Sequence, residues 1–200
     1  MATNDRVIDA AISSFGTRGY EATSLDALAA ELGIRKQTIL YWFPSKDALL
    51  GAVIDRCAEE LSAVLEEALR RSGPGWGRVE AVVRSVFRLA LRRPALLGLL
   101  REVSRLGPPA STRLTAGLDP LVQRAREFLE AEMAAGHMRV TDPRLVLLSA
   151  YSLVIGVATE VEVQRALGVE PTLRSMVVRR RELLAFLRSA LGVEDRPAVV

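Results

Sequence analysis

Between Thr23 and Leu49 the sequence TSLDALAAELGIRKQTILYWFPSKDAL is interrupted at Gly33 and again at Pro44, and these two breaks constrain the fold more than any other feature of the chain. Leu25, Leu28, Ala29 and Leu32 recur at helical spacing before Gly33, and Ile39 and Phe43 stand one turn apart before Pro44. Gly33-Ile34-Arg35 reads as a tight turn between two short helices. Pro44 ends the second, because the residue before a proline is driven out of the helical region. Ser45 then caps a long helix that continues to about Arg71. A preceding helix starts after Thr3 or Asn4, carries Val7, Ile8, Ala11, Ile12 and Phe15 as one apolar stripe, and ends at Gly19. Thr23, with Asp26 three residues on, is predicted to open the next helix as a capping-box-like pair. Three short helices around one small core, with a sharp turn before the last, form a helix-turn-helix: one helix braces and the next enters the DNA major groove.

The third helix offers few outward positions, and they are polar or aromatic. The helical wheel turns Gln37, Thr38, Tyr41 and Trp42 outward and Ile39 and Phe43 inward. Glutamine pairs bidentately with adenine, and the threonine methyl packs on that of thymine. Arg35 and Lys36 stand at the helix start, where phosphate or guanine is within reach. Tyr41 and Trp42 each carry a polar atom for a phosphate; plain core packing is the alternative for this aromatic run and is the better reading for Phe43. Lys46 opens the next helix, where the dipole disfavours a cation by some tenths of a kcal/mol. A phosphate held between the helix start and the ammonium explains its place; a solvated lysine beside Asp47 is the bland alternative.

Gly19-Tyr20, Thr23-Ser24-Leu25, Leu28-Ala29, Gly33-Ile34, Trp42-Phe43, Ser45-Lys46 and Leu49 follow one another at the spacing of a known pattern. In these residues the chain resembles the DNA-binding end of the TetR family of bacterial one-component repressors, strongly over about residues 5–50 and elsewhere only in helix number and length. The resemblance implies a DNA-contacting set of Thr23, Ser24, Arg35, Lys36, Gln37, Thr38, Tyr41, Trp42 and Lys46. It also implies a double-stranded operator of two-fold symmetry, a homodimer, and repression released by a small-molecule effector. Two positions depart from the pattern. Gln37 stands where a small residue is common, which suggests altered base preference. Leu40 stands where tyrosine is common, so one phosphate contact is missing or passes to Tyr41.

The net charge of +3 does not carry this reading. Residues 1–50 hold five basic and six acidic side chains, a net of −1, so the DNA footprint is the local cluster Arg35, Lys36 and Lys46. Both lysines of the chain lie in it. An enzyme needs a constellation that is absent here. The single histidine, His137, sits in a turn; the single cysteine, Cys57, reads as small core; no metal-ligand spacing, phosphate loop or nucleophile elbow occurs, and no cofactor is expected. One cysteine fits a reducing cytosol, no signal peptide is visible, and the apolar stretch from Leu145 to Thr159 falls short of the roughly 20 residues that span a bilayer. A cytoplasmic protein with no membrane partner is expected. The rival class is a helical interaction or scaffold protein that has lost DNA binding; two lysines kept in the reading head argue against it.

The remainder is helical by the same periodicity, broken at SGPGWG, at Arg92-Arg93-Pro94, at GPPAS, at Gly136–Thr141 and at Gly168–Pro171, with a polar tail after Leu191. Pro120 predicts a kink or a late start in the helix that holds it. The expected architecture is all-α with about nine helices: a DNA-binding domain over 1–45 and a ligand-sensing and dimerisation domain over 46–200. The resemblance implies that the last two helices, about Pro143–Leu167 and Thr172–Leu191, pair with their copies as a four-helix interface, for which Val154, Val157, Val161, Leu183, Leu184 and Leu187 supply apolar surface. A cavity lined by Phe87, Leu100, Phe128, Tyr151 and Ile155 is expected to take an apolar or amphipathic effector. Glu160 and Glu162 read as surface or dimer-face carboxylates, with a ligand-facing role as the sharper alternative.

Overall fold

The computed structural model describes residues 3–192, and these form ten helices and no strand. They are α1 (Thr3–Arg18), α2 (Leu25–Leu32), α3 (Lys36–Trp42), α4 (Lys46–Arg70), α5 (Trp76–Arg92), α6 (Pro94–Leu106), α7 (Ala110–Ala134), α8 (Pro143–Thr159), α9 (Val161–Ala166) and α10 (Leu173–Leu191). The polar tail expected beyond Leu191 lies, from residue 193 on, outside the described residues. Two compact units share the chain. One holds the chain up to Val64 together with Leu89–Asp119; the other holds Leu65–Arg88 together with the chain from Pro120 on.

In the first unit α1, α2 and α3 enclose Val7, Ala11, Ile12, Phe15, Leu28, Ala29 and Ile39, all buried. Gly33 adopts φ 65° as the left-handed end of α2, and the Ile34 and Gly33 N–H groups donate back to Ala29 and Ala30. That closure lets the chain reverse in so few residues, since a β-carbon strains this backbone region. α6 then crosses α1 at backbone contact. A β-carbon on Gly16 would lie 1.9 Å from the Ala95 carbonyl oxygen, and one on Gly98 2.2 Å from the Gly16 carbonyl oxygen. Leu96, Leu97, Leu99, Leu100 and Val103 of α6 are buried in the same unit, as is Cys57 of α4.

In the second unit α8 packs against α10, and Leu129, Met133 and Met138 form a core joined by Trp76, Val79, Phe128, Val146 and Leu147. Asp142 caps α8 by accepting the Arg144 N–H, with Pro143 at its first turn, and Thr172 and Ser175 close a reciprocal capping box on α10. α7 runs through Pro120 without a late start.

Three sequence expectations change. The helix expected from Pro143 to about Leu167 is broken at Glu160 (φ −80°, ψ 73°) into α8 and α9. At the break the Val157 carbonyl accepts from Gln164 Nε2 (3.2 Å) and Arg179 Nη1 (2.5 Å), side-chain donors that stabilise an ended helix. Val154, Leu183 and Leu187 are buried within the unit and cannot face a partner. On α8 and α10 the large apolar side chains left in solvent are Leu145, Leu148 and Tyr151, and Leu173, Val177, Val178 and Phe186. The N-cap of α2 is Ser24, whose Oγ accepts the Ala27 N–H at 3.0 Å, and not Thr23. Asp26 is therefore no capping-box partner.

Candidate nucleic-acid interface

α3 presents the expected outer face. Ile39 is fully buried and Phe43 nearly so, which fixes the rotation of this two-turn helix against its own core. Gln37 is then exposed, Thr38 half-buried, Tyr41 79% exposed and Trp42 48% exposed. The Tyr41 and Trp42 rings meet edge to face at 5.2 Å, an arrangement that limits the rotamers of both while they stand in solvent. Leu40 is half-buried and offers no polar atom. Arg35 holds the N-cap position in extended backbone with no side-chain cap, and its own side chain is exposed.

The two lysines are tethered. Lys36 Nζ donates to Asp26 Oδ2 at 2.8 Å across the turn, from α3 to the first turn of α2. Lys46 Nζ lies 4.0 Å from the centre of the Tyr20 ring. Tyr20 is buried, meets Phe15 edge to face at 5.3 Å, and donates its hydroxyl to Asp47 Oδ1 at 2.5 Å. A cation–π contact contributes about 0.5–1 kcal/mol at such a site, enough to offset the unfavourable dipole at the start of α4. The position of Lys46 thus has an intramolecular account as well as a phosphate one. Ser45 Oγ accepts the Ala48 N–H at 3.0 Å, so α4 is capped where the sequence puts the cap.

Tyr20 is also held from behind. Its N–H donates to Glu102 Oε1 of α6 at 2.6 Å, and Glu102 pairs with Arg105 at 2.9 Å. The Arg105 guanidinium, with the Tyr20 N–H, holds the Glu102 carboxyl below its ordinary range. Burial first, and then the bond to Asp47, pushes the Tyr20 phenol up. Tyr20, Asp47 and Glu102 thus belong to the site, although none reads as functional from sequence beyond the Gly19-Tyr20 pattern. Long-range partners such as Glu102 leave no trace in local spacing.

Thr23 and Ser24 divide. Thr23 is 2% exposed and its hydroxyl donates to the Gly19 carbonyl at 2.9 Å, so it shapes the turn and has no surface for DNA. Ser24 is exposed at the start of α2. The residues expected around an effector divide between the two units. Leu100 is buried in the first unit; Phe87 and Ile155 are buried, Phe128 half-buried and Tyr151 exposed in the second. A different, open groove of about 850 Å³ lies among α8, α9 and α10, with Val157, Gln164, Val178, Arg179 and Phe186 on its walls. Glu160 lines it too, while Glu162 pairs with Arg165 at 2.6 Å in solvent. Burial pushes the Cys57 thiol up to about 12, so it has no thiolate to act as a nucleophile near neutral pH.

A family described as "Bacterial regulatory proteins, tetR family" matches residues 7–53, the segment from α1 into α4. The chain is 30% identical over 145 residues to the HTH-type transcriptional repressor DrrR1 of Streptomyces coeruleorubidus, covering 72% of this chain and 47% of that protein. It thus spans about half the length of that relative. It is 24% identical over 152 residues to the HTH-type transcriptional regulator RutR of Escherichia coli (strain K12), covering 76% of this chain and 71% of that one. A solved tetR family transcription regulator from Shewanella sp. PV-4 superposes with a TM-score of 0.77 at 16% identity, over 97% of this chain and 100% of that chain. An outward aromatic and polar strip on the second helix of a helix-turn-helix, set in a fold shared across nearly the whole chain, places the protein: it belongs to the tetR family of bacterial regulatory proteins, which are DNA-binding transcriptional regulators and not enzymes.

Proposed function

We propose that the protein is a cytoplasmic, homodimeric repressor that reads a two-fold operator with α3 and is released by a small apolar or amphipathic effector. The observation that carries the reading is the exposed strip of α3: Gln37, Tyr41 and Trp42 in solvent on a helix whose opposite side is locked by Ile39 and Phe43. Gln37 is the base-reading residue, Thr38 a thymine contact, and Ser24, Arg35, Lys36, Tyr41, Trp42 and Lys46 position the backbone. The division of labour falls near residue 45, with 46–200 sensing the effector and pairing the copies. Leu145, Leu148 and Tyr151 of α8, with Val177, Val178 and Phe186 of α10, supply the apolar surface a second copy would cover. Among the described residues no helix is long and apolar enough to cross a membrane. The effector is taken up in the second unit beside Phe87, Phe128, Tyr151 and Ile155, and its affinity for the conformation that cannot bind DNA sets how far release goes. The test is in vitro selection from a random duplex library followed by mobility shift. A two-fold consensus with retardation by the intact chain is expected; retardation of no selected duplex would refute the reading.

A further inference from the structure

The head of this regulator is a poor polycation. Its residues 1–50 carry a net charge of −1, and of the three cations beside the reading helix Lys36 is paired with Asp26 and Lys46 lies over the Tyr20 ring, while the Arg35 side chain is exposed at the N-cap. Arg18, farther off, is held by Ser14 and Glu31. Non-specific binding to DNA depends on phosphate contacts alone, so a head that holds Lys36 back weakens it.

We infer that Asp26 is a specificity-determining residue: it competes with DNA phosphate for Lys36 and gives the lysine up only when α3 is fully seated in its operator. This rests on the DNA-binding reading above. Asp26 is 70% exposed and Lys36 42% exposed, so the 2.8 Å pair is open to solvent on both sides. A pair of that exposure is worth about fivefold at most. A phosphate in direct contact with Lys36 outweighs it, because the released counterion adds to the attraction; a phosphate held at a distance, as in a loosely seated complex, does not. The exchange is thus poised where seating decides it. Asp26 lies in the first turn of α2, at the end away from the Gly33 turn, where the Lys36 side chain reaches it, and its carboxylate repels any phosphate that approaches without drawing Lys36 away.

The test compares salt dependence of binding by the intact protein, using a selected operator duplex and a random-sequence duplex of the same length. In the wild type the slope on operator exceeds that on random duplex by about one for each head, the Lys36 contact made only when seated. Asp26→Asn should raise the slope on random duplex by about that amount, leave the slope on operator unchanged, and tighten random binding roughly tenfold at low salt, so that discrimination falls. Lys36→Ala should lower the operator slope instead, and adding Asp26→Asn to it should change nothing further. Equal slopes for wild type and Asp26→Asn on random duplex would overturn the inference, as would an equal rise on both duplexes or an Asp26→Asn effect that survives without Lys36. Circular dichroism melts of each variant exclude loss of the α2 first turn as the cause. A wild type that binds neither duplex overturns the DNA-binding reading, and this inference with it. A wild type that binds both while Asp26→Asn behaves identically overturns this inference alone.

Discussion

Lys46 and Gln37 are both within the reading head, yet they are supported by different physics and should fail differently. Lys46 is a point charge steadied over Tyr20, so Lys46→Ala should weaken binding to all sequences alike and lower the salt slope by about one for each head. Gln37 is an exposed amide on a helix fixed by Ile39 and Phe43. Gln37→Ala should relax preference at one base pair of each half-site, costing on the order of 1–3 kcal/mol there, with the slope unchanged. Selection of both variants against the same random library reads the difference; operator binding that survives both changes would show that α3 is not the reading element. Tyr20 carries a second residue-scale expectation. Its phenol is raised above the ordinary 10.0 by burial and by Asp47. The folded state therefore keeps a proton that the unfolded chain gives up above that pH. The stability this supplies is complete below pH 10.0 and is lost progressively as the pH climbs beyond it. Unfolding free energies of wild type and Tyr20→Phe from urea titration should differ by the hydroxyl bond, about 0.5–1.5 kcal/mol at neutral pH, and converge at alkaline pH. A difference that does not shrink would mean the phenol is not held as described.

At the scale of helices, much of the molecule follows from short-range signals, and the exceptions share one cause. The apolar stripes of α1 and α2, the left-handed Gly33, the Ser45 cap, Asp142-Pro143 at α8 and the Thr172 cap of α10 are decided by neighbours within one or two turns, so they are legible in the sequence. Thr23 against Ser24 as the cap of α2 is settled by whether a hydroxyl finds the Gly19 carbonyl, which two adjacent hydroxyl residues do not reveal. The break at Glu160 depends on Arg179, 22 residues from the Val157 carbonyl it bonds. The outward strip of α3 was legible because a two-turn helix with two core residues has one possible rotation; the tethers on Tyr20 were not, because Glu102 is 82 residues away. The α1–α6 crossing is the extreme case, since nothing in Gly16 or Gly98 alone marks a backbone contact. Gly98→Ala places a methyl 2.2 Å from the Gly16 carbonyl oxygen, and backbone cannot swing aside as a side chain does. The helices must part, costing about 1–3 kcal/mol or more by the usual price of overpacking. Gly73→Ala, with nothing within 4 Å, is the control and should change little. Equal urea midpoints for the two alanine variants would mean that the crossing is not close.

For the whole molecule the decisive quantity is whether two reading heads are tied together. A single two-turn reading helix with few base contacts binds weakly and with little selectivity; linking two heads turns the second contact into an intramolecular event and multiplies affinity about 10²–10⁴-fold without any new contact. Operator recognition should therefore collapse when the dimer does, even with every DNA-contacting residue intact. Leu148 tests this cleanly. It is 62% exposed in the single chain, so a charge there costs folding almost nothing, while in the proposed interface of α8 and α10 it would be buried without a partner. Leu148→Glu should yield a monomer by light scattering at micromolar concentration, with a melting temperature within a few degrees of any monomeric reference and operator affinity lowered at least about 100-fold. Affinity for random duplex should fall far less. Leu183→Glu, at a position 5% exposed, should instead unfold the second unit and serves to show what a core lesion looks like. A Leu148→Glu protein that remains dimeric and binds operator as the wild type does would move the interface off this face of α8; one that is monomeric yet still binds operator tightly would mean that a single head suffices, and the two-fold operator would lose its reason.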